Sequence, residues 1–216
     1  MIEQPFPAQR IPHHASIGLL IFISCLTLAS CALGINNNFQ PPAIYYFDIS
    51  FSDAAEKVRN QNTSLSVALP RAHPGFESRH IVYQRTAHRL EHYTQSEWVA
   101  RPTEMLGPLL VRSLEQTGYF DSVIEAPSNM ATDYRLETEL IRLIQVFDNE
   151  HAYIHLVLRM HLLDMEKKKI VTSQLIDIKK PSPTLDAIGG VKATNAAIKE
   201  ALLEINRYCA QTILEL

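Results

Sequence analysis

Apolar and polar residues alternate along two long, consecutive stretches in the second half of the chain. The first stretch has Tyr134, Leu136, Thr138 and Leu140 on one parity, and the second has Ile154, Leu156, Leu158, Met160 and Leu162. Alternation of this length predicts two half-buried antiparallel strands, because successive side chains of a strand point to opposite faces. Arg142 interrupts the first pattern, which indicates a bulge or an edge position.

Shorter runs of β-forming residues predict further strands. A charged turn over Met165–Lys169 precedes one run, Ile170–Ile178, and three runs lie earlier in the chain, at Ile44–Ile49, Leu65–Leu69 and His80–Gln84. Polar segments or segments containing Pro and Gly separate the early runs, as is usual between strands.

Two stretches have helical spacing instead. The first begins at Arg101-Pro102, has apolar residues at intervals of three and four as far as Leu114, and ends at Gly118. Gly107-Pro108 within it predicts a later start or a bend. The second helix covers Asp186–Leu214, where one stripe is apolar. Together these elements predict an α+β fold, with an antiparallel-rich sheet and two main helices packed on one face.

The start of the chain has a different character. No acidic or basic residue occurs between Arg10 and Asp48, and Ile17–Leu28 has the length and polarity of the apolar core of a secretory signal. It leads into Leu28-Ala29-Ser30-Cys31, which resembles the lipobox of bacterial lipoprotein precursors. We therefore expect a lipoprotein signal peptide over residues 1–30, a lipid-anchored linker over residues 31–42 and a single α+β domain over residues 43–216.

Cys31 is the predicted lipidation site, because its thiolate follows two small residues and can accept a diacylglyceryl group, after which an N-acyl chain is added. Cys25 is a poorer match, since Phe22 replaces the aliphatic residue. An uncleaved transmembrane anchor over Ala15–Ile35 is the alternative, since ~20 apolar residues span a bilayer. Ala32 stands where an aspartate would resemble an inner-membrane retention signal, so we expect the periplasmic face of the cell outer membrane.

Composition and cysteine count narrow the function classes. With 46% hydrophobic residues the chain can bury a core, and a formal charge of -3 gives no general attraction to nucleic acid. Of the three cysteines, only Cys209 would remain unmodified after processing at Cys31, so no intrachain disulfide is expected. Cys209 falls on the apolar stripe of the last helix, which predicts a role in core packing.

The sequence offers no reactive cluster. Among the nine histidines, His88 and His92 have a helical spacing, and His155 and His161 share one strand parity, but neither pair has the ligand set of a zinc site. Gly189-Gly190 lacks the Lys-Ser or Lys-Thr of a phosphate-binding loop and is interpreted as backbone freedom at a helix start. We expect no catalytic residue, no metal and no cofactor apart from the covalent lipid.

Several short motifs follow the lipobox. They are Ile81-Val82-Tyr83, Leu90-x-x-Tyr93, Trp98, Pro102, Met105-Leu106, Leu109-Leu110, Leu114, Gly118-Tyr119-Phe120, Val123, Asp133-Tyr134-x-Leu136, and Gly189-Gly190-Val191 with Ala193, Ala196 and Ala197. In this order and spacing the chain resembles the ABC-type transport auxiliary lipoproteins, whose paraquat-inducible-type members accompany mammalian-cell-entry (MCE) domain proteins. Arg101, where many members have a second proline, and Gly107-Pro108 depart from the family pattern.

The resemblance implies a non-catalytic outer-membrane lipoprotein that docks the periplasm-spanning MCE-domain protein of an ABC lipid transporter and assists lipid transport between two membranes. Tyr83, Tyr93 and Trp98 are the aromatic residues to test first as a contact surface, although core packing is the commoner role of such residues and no site is assigned to them. Two other hypotheses stay open: a periplasmic lipid-binding carrier, and an assembly factor of the lipopolysaccharide-export or Tol type. Association into a homo-oligomer is also left open.

Overall fold

A mixed β-sheet with two helices makes up the part of the chain that the structure, a computed structural model, describes: residues 40–51 and 62–214. The signal peptide, the lipidation site Cys31, its rival Cys25 and the alternative anchor over Ala15–Ile35 lie outside the described residues. The predictions about them therefore remain predictions. The α+β class is confirmed within the described ranges.

The described residues form nine strands and two helices. In chain order they are β1 (Ala43–Tyr45), β2 (Ser64–Val67), β3 (Arg71–Ala72), β4 (His80–Gln84), β5 (Glu91–Trp98), α1 (Pro102–Thr117), β6 (Ser122–Glu125), β7 (Tyr134–Asp148), β8 (His151–Asp164), β9 (Lys169–Pro181) and α2 (Ala187–Leu214).

Strands β7, β8 and β9 form the long antiparallel meander that the alternation predicts. Asn149 and Lys168, both at positive φ, lie in the two tight turns of this meander. The register between β7 and β8 shifts between Leu140 and Arg142, so the bulge expected at Arg142 is confirmed. The edge position is wrong, because β7 pairs with β8 on one side and with β2, β3 and β4 on the other.

The rest of the sheet is mixed rather than purely antiparallel. Strands β2, β3 and β4 all run parallel to β7, β1 runs parallel to β5, and β2 runs parallel to β6. The chain leaves the sheet after β5, passes through α1 and re-enters it at β6. The early strands are also shorter than predicted, Ala43–Tyr45 instead of Ile44–Ile49 and Ser64–Val67 instead of Leu65–Leu69.

Helix α1 begins at Pro102, whose fixed φ suits the first turn of a helix. The Glu104 carboxylate accepts a hydrogen bond from the Arg101 backbone N–H at 3.0 Å and so supports this start. The helix runs through Pro108, and the later start predicted from Gly107-Pro108 is therefore wrong. Gly118 ends the helix in the left-handed conformation, with φ of 69°, as predicted.

Helix α2 packs on β8 and β9 and contacts α1, so both helices lie on one face of the sheet. Small side chains along its buried stripe, among them Ala193, Ala197 and Ala201, allow the helix to approach the strands closely. Cys209 has no exposed surface and belongs to the same core, which confirms its predicted packing role. Burial raises the pKa of its thiol to about 12, so the group stays protonated and unreactive at neutral pH.

Neither helix in the described ranges is both long and apolar enough to cross a membrane.

Candidate functional site

The histidines do not form a metal site in the described part of the chain. No group of three or more metal-binding side chains comes together within residues 40–51 and 62–214. His88 lies in a turn at φ of 65° and His92 lies in β5, so the helical spacing considered for this pair is wrong. The His92 ring instead stacks on His80 at 4.4 Å between centroids, and His155 Nε2 pairs with Asp177 Oδ1 at 2.9 Å.

Gly189 and Gly190 lie in the first turn of α2 and permit close packing there. A Cβ atom at Gly190 would lie 2.9 Å from the Gln145 side-chain carbon Cδ, and one at Gly189 would overlap the backbone of Thr184. Neither glycine has a positive φ. The interpretation from the sequence, backbone freedom at a helix start, is therefore wrong. Glycine is required at these two positions because a side chain would not fit.

Asp186 caps the same helix. Its Oδ1 accepts hydrogen bonds from the Gly189 backbone N–H at 2.8 Å and from the Thr184 hydroxyl at 2.6 Å. These donors, the Thr184 hydroxyl foremost, hold the pKa of Asp186 below its ordinary value. This polar cluster is explained by helix capping, so we assign it no ligand.

The three aromatic residues proposed as a contact surface are largely internal. Trp98 is only 2% exposed and packs edge-on against Phe47, with ring centroids 5.1 Å apart, and Tyr83 is also buried. The Tyr93 hydroxyl donates to Gln145 Oε1 at 2.9 Å, and desolvation is the main cause that raises the pKa of Tyr93 to about 12. The hypothesis of a contact surface made of these residues is therefore wrong. Their rings pack within the sheet instead.

The free side of β9 is the first surface with the properties of a docking site. In the described part of the chain this 13-residue strand pairs with β8 alone, so its other side presents unpaired backbone groups. Leu175 in its centre is 58% exposed, while Ile176 and Ile178 point into the core. Lysines and a proline at the strand ends restrict pairing to its middle, namely Lys169, Lys179, Lys180 and Pro181.

A groove between the helices is the second such surface. It has a volume of 560 Å³ and lies between the last turn of α1, the C-terminal half of α2 and the segment Ser50-Phe51. We call it the helix groove. Its apolar lining consists mainly of Phe51, Leu202, Leu203, Ala210 and Leu214. The charged residues among those that line it are Lys199 and Arg207, both positive.

A third concavity, of 910 Å³, lies where β7 begins and β8 ends, and polar groups make up much of its lining. Its rim carries the exposed side chains of Leu69, Met130 and Met165. Asp133 holds its floor together, because its Oδ2 accepts hydrogen bonds from the Ser64 N–H at 2.7 Å and the Ser64 hydroxyl at 2.6 Å. These bonds lower the pKa of Asp133, so this carboxylate also has a structural explanation.

Taken together, the described residues offer surfaces for binding, and two hydroxyl–carboxylate pairs among them, Ser64 with Asp133 and Thr184 with Asp186, have structural explanations. The sequence could not indicate these surfaces, because each one combines residues that are far apart in the chain.

Comparison with known proteins agrees with the geometry. The profile of a family described as "ABC-type transport auxiliary lipoprotein component" matches residues 47–206. That description is of a transport component and not of an enzyme. No curated protein matches the chain.

Solved structures share the fold. Protein XCC0632 from Xanthomonas campestris superimposes with a TM-score of 0.70 at 22% identity, covering 80% of this chain and 98% of its own. An uncharacterized protein gives a TM-score of 0.62 at 12% identity, with 79% and 99% covered. The hypothetical protein CT253 from Chlamydia trachomatis gives 0.50 at 8% identity, with 71% and 99% covered. At these identities the likeness establishes the architecture alone.

Proposed function

The chain belongs to the ABC-type transport auxiliary lipoprotein family, and from this membership we propose that it is the outer-membrane lipoprotein of an ABC/MCE-type intermembrane lipid transport system. In this role it is a non-catalytic docking module. The family match over residues 47–206 is the observation that carries the proposal. The partner is the periplasm-spanning MCE-domain protein of the transporter.

The anchor is the first part of the proposal. Acyl chains on Cys31 hold the domain at the periplasmic face of the outer membrane, and each buried methylene contributes ~0.8 kcal/mol to that attachment. The segment Gly34–Pro42 is polar, carries two prolines and is short, so it keeps the domain close to the bilayer.

The docking surface is the second part. The free side of β9 suits strand addition, in which an extended segment of the partner pairs with an exposed sheet edge. Main-chain hydrogen bonds along Thr172–Ile178 would supply affinity, and the exposed Leu175 side chain would supply a specific apolar contact. The lysines at both ends limit the length of the added strand and disfavour pairing between two copies of β9.

A photoreactive amino acid at position 175, introduced in cells that carry the transporter, tests this docking. We expect a covalent adduct with the MCE-domain protein, identified by mass spectrometry. Position 90 is the matched control, because Leu90 is 52% exposed but lies in the turn between β4 and β5, away from β9. It should give at least several-fold less adduct.

Three outcomes would contradict the proposal. Equal labelling from positions 175 and 90 would rule out the β9 edge as the specific contact. If neither adduct contains the MCE-domain protein although the transporter is intact, the proposal that this chain docks to that protein is wrong. Capture of an outer-membrane barrel would favour the assembly-factor hypothesis in its place.

A further inference from the structure

The helix groove is an apolar surface that neither the fold nor the docking role explains. Leu203 and Leu214 on its rim are 61% and 65% exposed, and they lie on the same face of α2 as the buried Ala210, which also lines the groove. Exposed leucines grouped around a concave apolar floor are unusual on a surface that meets only water. The groove therefore has the character of a binding site for an apolar group.

The charged residues that line the groove are of one sign. Lys199 and Arg207 line it, and no carboxylate is among the described residues that do so. The guanidinium of Arg112 lies 5.4 Å from the Phe51 ring centroid and adds a third positive charge beside it. Because the whole chain has a formal charge of -3, this local excess is opposite to the overall balance. It suits a ligand that combines an apolar body with a negative group.

Asn206 adds a polar group to the lining. Its Nδ2 donates to the Ser113 hydroxyl at 2.7 Å and to the Ser113 carbonyl oxygen at 3.3 Å. Because a carbonyl oxygen can only accept a hydrogen bond, the amide must turn its Nδ2, and not its Oδ1, toward Ser113. Its Oδ1 is buried and has no hydrogen-bond partner in the described part of the chain. A buried acceptor without a partner is costly to the folded state.

The length of the helix groove suits an acyl chain. Leu203 and Leu214 are separated by about 16 Å along the helix axis, from a rise of ~1.5 Å per residue. One leaflet of a bilayer core is about 15 Å thick, which is the length of one acyl chain.

We infer that the helix groove binds one acyl chain of an anionic membrane lipid, with the headgroup against Lys199 and Arg207. This site goes beyond docking and needs only that the domain lies next to a bilayer. Phosphatidylglycerol has the required chemistry, because it joins acyl chains to a negatively charged phosphate.

The test uses the full-length protein in the form that its host membranes contain, reconstituted in phosphatidylethanolamine vesicles without a partner protein. The vesicles carry a trace of phosphatidylglycerol with a photoreactive acyl chain, or phosphatidylcholine with the same chain. After illumination, labelled peptides are mapped by mass spectrometry. We expect labelling on the α2 peptide that contains Leu202 and Leu203, and several-fold more from phosphatidylglycerol than from phosphatidylcholine.

Two sets of variants separate a site from general surface contact. Leu203→Asp should reduce labelling of α2 about tenfold, because it removes apolar area and adds a negative charge. Leu90→Asp is the matched control, at 52% exposure in the turn between β4 and β5, and should leave labelling of α2 unchanged. The double variant Lys199→Glu, Arg207→Glu should bring phosphatidylglycerol labelling down to the phosphatidylcholine level.

Because all these side chains are exposed, thermal unfolding should show that the variants remain folded. Equal labelling by the two lipids, equal labelling in Leu203→Asp, or labelling spread over all exposed leucines would each overturn the site. Since no partner is present in the vesicles, such a failure would leave the docking proposal untouched, and a failure of docking would not affect this result.

Discussion

Gln145 shows at the scale of single residues how the described domain keeps a polar group in its core. The side chain is fully buried, yet Oε1 accepts from the Tyr93 hydroxyl, and Nε2 donates to the Ser182 hydroxyl and the Asp186 carbonyl oxygen, both at 3.1 Å. These bonds join β5, β7 and the start of α2. Satisfied in this way, a buried amide fixes the relative positions of the elements that it connects.

Gly190→Ala tests this packing. The added methyl group would clash with the Gln145 amide, so we expect a loss of about 1–3 kcal/mol in the free energy of unfolding, measured by urea denaturation. Combining Gln145→Ala with Gly190→Ala removes the clash. The loss of stability in the double variant should therefore be smaller than the sum of the losses in the two single variants. Strict additivity would show that Gly190 has another role. The sequence pointed to this position but could not give the reason, because Gln145 is distant in the chain.

Asp186 provides a second residue-scale prediction, through its pH dependence. Its folded pKa is depressed, so its contribution to stability is present above the pKa of the unfolded chain, ~4, and is lost as the pH falls through the lower folded value. Asp186→Ala should cost about 0.5–2 kcal/mol at neutral pH, measured by thermal unfolding.

Asp186→Asn is the control for that experiment, since asparagine caps helices comparably but does not titrate. This variant should keep most of the stability at neutral pH, and below ~pH 4 its stability should decline less than that of the parent protein. A decline identical to that of the parent protein would mean that other carboxylates account for acid sensitivity.

At the scale of elements, periodicity decided which parts of the fold could be predicted. Strands β7, β8 and β9 and both helices are long and strongly patterned, so local sequence indicates them well. Strand β5 was missed, because Glu91–Trp98 is mostly polar and only Ser96 and Trp98 are buried in it. Its place is fixed by pairing with β1 and β4, which is information that a local pattern does not contain.

The exposed edge of β9 carries the element-scale prediction. Leu175→Lys places a charge in the middle of the free side, a substitution that commonly prevents strand addition. We expect binding of the partner, measured by surface plasmon resonance, to fall about tenfold, whereas the free energy of unfolding should change by less than about 0.5 kcal/mol. Leu90→Lys, which changes a leucine of similar exposure in the turn between β4 and β5, is the control and should bind as the parent does. Unaltered binding by Leu175→Lys would exclude this edge.

At the scale of the whole molecule, the sequence indicated the fold class and the family better than the candidate binding surfaces. The fold class and the family were both within reach, because patterning and short motifs survive in a single chain. The helix groove was not, since Phe51, Ser113 and Leu203 meet only after α1 and α2 have packed on the sheet. The aromatic residues that looked suited to contacts turned out to be required for the core, as hydrophobic residues most often are.

The lipid anchor can be tested on the whole protein by comparing two cysteine variants. If Cys31 is lipidated and the signal peptide removed, Cys31→Ser should prevent both, because serine offers no thiolate to accept the diacylglyceryl group. The variant should then keep residues 1–30, lack acyl chains and move from the outer-membrane to the inner-membrane fraction, held there by its apolar segment. Intact-mass spectrometry and density-gradient fractionation measure both changes.

Cys25→Ser is the matched control, since Cys25 would lie in the removed peptide and the mature mass should stay the same. If Cys31→Ser also leaves mass and location unchanged, the chain is held by an uncleaved anchor, and both docking and lipid binding would take place at the inner membrane.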